Sequence, residues 1–546
     1  MNWELLQHGR CLATFLALDY TVLLLLTGIT YVSLDHTKLR VAACALAVTI
    51  ALGLALRSFN RKKYDRMARL KVQLYNNTHK DTLLYRMNSF LPYLHTALLP
   101  LFLATELRGK DKSIAEVLLF GAALSCVLDV FMFDNKALLF CAAVTLNLAD
   151  RWFGDVLGRR AVILTLVQAV VHCVMRTDLT RSLNFTDSVI VSQLVTVGIH
   201  LLVGGYTYNS WGPLTQLADF AVHTGYMLLA LVIVTLSDFV FKSYPSSCIR
   251  RRLANLARMA AMGYAAFRFG VWVYTYNAYK DGLTPLQTLL KLFSTNDAII
   301  TLVAWAIHTV VCVSILYHKS PLLTAASAHK YSAKSPAITI LRKGLHFVLL
   351  VNGFVAMNMA QHTLFALSLY LIFIGGLALE ILRFYGCIPL RLGRFLSSLY
   401  KAFGEGVTLR SLVIAHAFIA LATGLPLWVQ VGKGLQIDYT KAYIGLTTVA
   451  FADSLAAIVG SKARKLVCHE KSIAGSLAFF AGTFVSLAIA LLIQHGPAIG
   501  YRHAAASAAV ALAATIVEAG SPGTDNIGVA MTAYIVYSNL EKVLNL

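Results

Sequence analysis

What most limits the fold of this chain is a recurrence of apolar runs, each about twenty residues long, separated by short basic loops. A bilayer core about 30 Å thick is crossed by about 20 helical residues. Residues 11 to 33, 41 to 56, 219 to 241, 297 to 317 and 473 to 493 each read as one such crossing. Counting similar runs gives roughly fifteen crossings. The runs are continuously apolar, whereas barrel strands alternate apolar and polar residues over about ten positions. The expected class is therefore an all-α, polytopic integral membrane protein. Composition agrees: of 546 residues, 58% are hydrophobic and 13% charged, against roughly 45–50% and 25% in a soluble domain.

The net charge of +21 would suggest a nucleic-acid surface in a soluble protein. Here the basic residues sit in short loops between apolar runs, the pattern that marks the cytoplasmic side of a membrane protein, and no nucleic-acid partner is expected. They are also suited to holding a phosphate-rich substrate at the membrane face. Nine cysteines are scattered singly, with no pair at metal-ligand spacing. The run after Arg10 lacks a small-residue cleavage site and reads as a retained helix. Asn76-Asn77-Thr78 and Asn184-Phe185-Thr186 match the glycosylation triplet, but triplets are common by chance and fix no topology.

Basic segments divide the chain at Arg57 to Lys71, Lys242 to Arg258, His318 to Lys343, Arg383 to Arg410 and Lys462 to Lys471, and all five are expected in the cytoplasm. Pro321 to Ser335, rich in Ala, Ser and Lys, is the expected linker between an amino-terminal membrane region, 1–335, and a carboxy-terminal domain, 336–546. The first region shows no fixed-period repeat. Its acids Asp19, Asp129, Asp134, Asp150 and Asp155 read mainly as helix-end residues.

In the second region three helical hairpins are expected, at about 344–361 with 363–382, 411–431 with 440–459, and 473–493 with 502–517. Their cytoplasmic ends collect Arg342, Lys343 and His346, Glu380 and Arg383, Asp453, the segment from Lys462 to Ser472, and Glu518 with Asp525 and Asn526. Phosphoryl transfer needs cations around phosphates, acids for a divalent cation and a positioned acceptor, and this face offers those ingredients. Lys471-Ser472-Ile473-Ala474-Gly475 opens a helix after a basic loop, so Lys471 and the helix amides could meet phosphate, with Gly475 permitting close approach. The alternative is an ordinary positive-inside loop. Asp453, in FADSLAAIVGSK, is an acid in an apolar helix, and either a site or a structural ion pair would account for it. Glu518 and Asp525-Asn526 flank a Gly- and Pro-containing break, and hard oxygen ligands of that kind suit Mg2+. His346 follows Lys343 by one turn and is either a structural hydrogen-bonding residue or a base. Glu380 and Arg383, also three apart, could pair with each other or serve a site.

Taken in order, RKGLH, LEILRFYGCIPL, VTLRSLVIAHAFIALATGLPLW, FADSLAAIVGSK, KSIAGS and VEAGSPGTDN resemble the polyprenol kinase family, and within it the CTP-dependent dolichol kinases, over about residues 340–540. The ordered set is specific where each piece is not. The resemblance implies transfer of the terminal phosphate of CTP to the hydroxyl of dolichol or another polyprenol in the bilayer. The product, dolichyl phosphate, serves glycosylation. It implies a multi-pass protein of the endoplasmic reticulum membrane, a nucleotide site facing the cytoplasm, and Mg2+ or another divalent cation. It carries nucleotide binding to the loop of Gly460, Ser461, Lys462, Arg464, Lys465, Lys471, Ser472 and Gly475, with Asp453, Glu518, Asp525 and Asn526 at matching positions. On that basis Lys471, helped by Lys462, Arg464 and Lys465, holds phosphates, while Asp453, Glu518 and Asp525 hold the metal. One departure is Ala474, where relatives usually carry an acid. Rival readings are a related CTP-using kinase or cytidylyltransferase acting on phytol, diacylglycerol or phosphatidate, a transporter with broken helices, and a degenerate, non-catalytic relative.

Overall fold

The computed structural model of the chain describes residues 185–203, 294–318, 336–384, 415–432, 437–463, 471–498, 500–520 and 526–544, with separate helical positions between 98 and 172. Every element among these residues is helical. The helices are α1 (Phe185–Val203), α2 (Asn296–His318), α3 (Pro336–Asn358), α4 (His362–Phe384), α5 (Ala415–Gly432), α6 (Tyr439–Lys462), α7 (Ile473–His495), α8 (Tyr501–Gly520) and α9 (Asn526–Leu544). Three of them, α6, α7 and α8, are long and apolar enough to cross a membrane. The side chains that α2 leaves in the open, such as Ile300, Ile307 and Val310, are β-branched hydrocarbons. An apolar helix face of that kind suits a lipid surrounding. The expected crossings at 11–33, 41–56 and 219–241 lie outside the described residues, as does the expected linker.

The chain packs as two compact units, one of residues 1–207 with 516–545 and one of residues 208–515 with 546. Neither ends at 335, so this division by packing is distinct from the functional one expected from sequence. In the first unit, α9 is buried all round from Ile527 to Asn539, and Tyr534 meets Phe102 with ring centroids 4.8 Å apart. Helix α8 changes unit between Thr515 and Ile516.

The second unit is an up-and-down set in which α2 packs on α3, α3 on α4 and α6, α4 on α5, and α6 on both α5 and α7. Pro336 starts α3, as suits a residue that fixes φ and has no N–H to leave unpaired. The helix therefore begins eight residues before the expected start at 344, and Arg342 and Lys343 lie inside it instead of in the loop assigned to them. It ends in a tight turn: Gln361 N–H reaches Ala356 O at 2.8 Å and Ala360 N–H reaches Met357 O at 3.2 Å, with Ala360 at φ 52°. This turn returns the chain as α4.

Helix α6 is fixed to its neighbours where side chains are smallest. Asp438 caps it by accepting from Lys441 N–H at 3.0 Å. Pro426 has no N–H to give the Ala422 carbonyl of α5, and the bare face of Gly445 packs against that same carbonyl. Trp428 of α5 donates from its indole to Ala366 O of α4 at 2.8 Å, tying the next pair together. At the opposite end of α6, a Cβ on Gly475 would stand 3.1 Å from Ala456 O and 3.3 Å from Gly460 Cα, and one on Gly482 would stand 3.2 Å from Ala452 Cα. Small residues at 452, 456 and 460 thus let α6 and α7 run almost backbone to backbone. Gly445→Ala should place a methyl group into the Ala422 carbonyl, which as backbone has little room to yield. The expected loss is about 1–3 kcal/mol, read as a lower melting temperature of the purified protein.

Candidate functional site

The site grows from an irregularity in α6. Residues Leu446–Ala452 form a π-turn, in which the ladder runs from each N–H to the carbonyl five residues back. Within it the Thr447 and Thr448 hydroxyls bond back to Ile444 O at 3.0 and 2.7 Å. At its end the Asp453 N–H pairs with Thr448 O. Val449 O, which an unbroken α-helix would give to that N–H, is instead met from outside the helix by His346 of α3. A carbonyl only accepts, so His346 Nδ1 carries the proton and donates it at 3.1 Å.

Asp453 stands immediately after the π-turn, on the side of α6 that α3 packs against. Its Oδ2 accepts from the Lys343 ammonium in a direct ion pair, and His346 Nδ1 lies 3.5 Å from the same oxygen. Lys343 and His346 are one turn apart on α3 and so share a face. Lys471, just ahead of α7, is close enough for its charge to act on the carboxylate too. The pair is nearly enclosed, with 15% of the Lys343 and 13% of the Asp453 side chain exposed. Counting back from Lys462, Asp453 is about 13 Å inside the helix end at 1.5 Å per residue. The sequence places it near the inner end of a helix ending at Gly460, and α6 runs two residues further, to Lys462.

The end of α6 and the start of α7 are placed by a cap and by close packing. Ser472 is the N-cap of α7, its Oγ accepting from Gly475 N–H at 3.1 Å. Gly475 brings α7 against Gly460 and Ala456, so the close approach it allows in this structure is between helices. Ser461 Oγ donates to Ile458 O at 2.8 Å on its own helix, and Lys462 is exposed at the last position of α6. Arg464, Lys465 and Asp525 lie outside the described residues, as does the side chain of Arg342. Glu518 is buried near the end of α8, and Asn526 opens α9; both belong to the first unit.

Glu380 and Arg383 form a bidentate pair within α4, Nε to Oε2 at 2.7 Å and Nη2 to Oε1 at 2.6 Å, both side chains 2% exposed. The two residues therefore pair with each other, which is one of the two readings the sequence left open. In the second unit the structure places Lys343, His346 and Asp453 together, with Lys471 close enough for its charge to act on the carboxylate. The π-turn and its released carbonyl had no signal beyond the Thr447-Thr448 doublet.

A divalent cation that retains several waters takes only one or two protein carboxylates. Asp453 Oδ1 takes no hydrogen bond among the described residues, while Oδ2 is held by Lys343. The described residues contain no cluster of three or more His, Cys, Asp or Glu that could hold a metal. The donor set therefore suits a cation carried in chiefly by phosphates and touched by one carboxylate oxygen.

The chain is similar to dolichol kinases of mouse, cow and human. The mouse protein is 26% identical over 230 residues, covering 40% of this chain and 42% of the relative. The bovine and human proteins are each 25% identical over 230 residues, covering 40% of this chain and 41% of the relative. The matched stretch thus spans about two fifths of the length of these relatives. No family model matches the chain, and no solved structure does.

The ion pair makes its own forecast. Lys343→Met should leave an uncompensated carboxylate inside the bundle and cost about 3 kcal/mol. Adding Asp453→Asn to it should recover most of that loss, a coupling measurable as a double-mutant cycle on thermal unfolding.

Proposed function

We propose, from the relationship to the dolichol kinases, that this chain is a CTP-dependent dolichol kinase of the endoplasmic reticulum membrane. A dolichol kinase relationship already implies a kinase acting on a lipid alcohol. CTP as donor, dolichol as acceptor and the cytoplasmic orientation of the nucleotide site are the added steps. The observation that carries the reading is the Lys343–Asp453–His346 cluster beside a capped helix start preceded by Lys471. An acid and several cationic groups inside apolar helices are costly to keep there, and such residues are retained where they serve a polar substrate.

On this reading Lys462, exposed at the end of α6, and the half-buried Lys471, with Arg464 and Lys465 of the same segment, draw in and hold the phosphates of CTP. The start of α7 adds its positive dipole end, with Ser472 fixing the first turn. A divalent cation, when bound with the nucleotide, neutralises charge on the phosphates, and Asp453 is the described residue suited to touch it. The alcohol oxygen attacks the terminal phosphorus in line, an O–P bond forms, the bond to the β-phosphate oxygen breaks, and CDP leaves. The alcohol proton is lost late, since the loose transition state of such transfers makes a strong base optional. The lipid enters sideways from the bilayer with its hydroxyl leading.

The test is incubation of the purified full chain in phospholipid nanodiscs with CTP labelled on the terminal phosphate and a panel of prenols, with and without Mg2+. Label should pass to dolichol. Asp453→Ala and Lys471→Ala should each lower the rate on the order of a hundredfold or more, with the protein still in the membrane. Transfer of label from the cytidine portion to lipid would instead identify a cytidylyltransferase, and full activity in both variants would refute the site.

A further inference from the structure

The π-turn sets the direction in which Asp453 points. Where a ladder of five-residue spacing returns to one of four, the helix after it is turned by one residue, about 100°, relative to an unbroken α-helix. If α6 were a plain α-helix up to residue 452, Asp453 would be turned by about 100° from the direction in which it meets Lys343. The register that brings Asp453 to α3 is the same register that releases Val449 O from the helix ladder. An unpaired carbonyl among apolar helices is expensive, so this register needs a donor from elsewhere. His346 supplies it, donating from Nδ1 at 3.1 Å, and the same N–H lies 3.5 Å from Asp453 Oδ2. The imidazole is itself buried, 8% exposed, and packed in one orientation between the two helices.

We infer that His346 is the positioning residue of the reaction: it holds the π-turn of α6 in the register that aims the Asp453 carboxylate into the site. This rests on the reading of Asp453 as part of a phosphoryl-transfer site. The part His346 plays is donation of one N–H to one carbonyl, so a side chain that reproduces the N–H reproduces the function. In Asn the amide nitrogen stands the same number of bonds from the backbone as Nδ1 does. In Gln it stands one bond further out.

Three variants of the full chain, His346→Leu, His346→Asn and His346→Gln, are compared in the nanodisc assay with rates expressed per folded molecule. His346→Leu should lower kcat on the order of tenfold to a hundredfold with KM for CTP nearly unchanged, since the phosphate-holding lysines are untouched. His346→Asn should keep kcat within about threefold of the unmodified chain, and His346→Gln should fall with Leu. A side chain that merely supports the fold would lower the yield of folded protein and leave kcat per folded molecule alone. An unaffected kcat in His346→Leu, or His346→Asn as inactive as His346→Leu, overturns the inference. Should His346→Leu not be recovered folded, equal activity of the Asn and Gln variants overturns it. Nitrogen-15 shifts of the histidines, with His346→Asn assigning the signal, read the same point without any turnover. Protonation at Nδ1 is expected, and a neutral ring protonated only at Nε2 would refute the assignment. An unmodified chain that moves no phosphate from CTP would count against the proposed function, while the tautomer would still decide the role of His346.

Discussion

A carboxylate held among apolar helices has to be compensated, and the pairing of Asp453 with Lys343 is the compensation on which the second unit depends. In a medium that screens charge poorly, a lone ionised acid would cost several kcal/mol, far more than the packing around it supplies. Lys343 comes from α3, 110 residues earlier in the chain. The pair therefore fixes α3 against α6 from within. The Glu380–Arg383 pair solves a similar problem inside one helix, with both hydrogen bonds of the guanidinium fork made to one carboxylate. Each oxygen of the Glu380 carboxylate accepts one guanidinium hydrogen bond, whereas on Asp453 only Oδ2 accepts a hydrogen bond among the described residues.

The rest of α6 is arranged so that this one acid can be displayed. Its far end is tied to α7 and α4 by neutral hydrogen bonds. Gln494 of α7 accepts from Thr440 N–H and its hydroxyl, each at 3.0 Å, and Tyr443 meets His362 of α4 at 2.7 Å. Its middle approaches α5 through Gly445, and its last turns approach α7 through Ala452, Ala456 and Gly460. Only the π-turn departs from regular geometry, and it lies directly before Asp453. A π-turn gives up regular hydrogen bonding and is commonly found where a helix must aim a particular group. Here the group is the acid, and the cost is offset by the imidazole of His346.

Much of this was legible in the sequence. The helices expected at 363–382, 411–431, 440–459, 473–493 and 502–517 emerge close to their expected bounds, because unbroken apolar length is a strong signal for helices. Asp453, Lys343 and Lys471 were readable as candidates since each is a charge at or near an apolar run. The start of α3 was missed because its Lys and Arg looked like loop residues, although Pro336 at the first helical position marks where the helix begins. The π-turn was invisible because LTTVAFA satisfies an α-helix as well as a π-turn, and only the packing of α3 with its histidine selects between them. Gly475 was read as room for a phosphate; the tighter constraint turned out to be the neighbouring helix, which sequence spacing within one segment does not reveal.

The depth of Asp453 also separates the routes by which two unlike substrates would arrive. On the proposed reading, Lys462, exposed at the end of α6, is the first of these cations to meet the charged nucleotide. Asp453 lies about 13 Å back along α6 from Lys462, and Lys471 is close enough for its charge to act on that carboxylate. A phosphate chain lying between these two positions would then have its cytidine end outward and its terminal phosphorus inward, toward the acid. That order puts the transferable phosphate next to the lipid hydroxyl and keeps the leaving CDP on the water side. On the proposed reading, the Lys343–Asp453 pair at that depth therefore fixes the direction of transfer as well as the position of a charge.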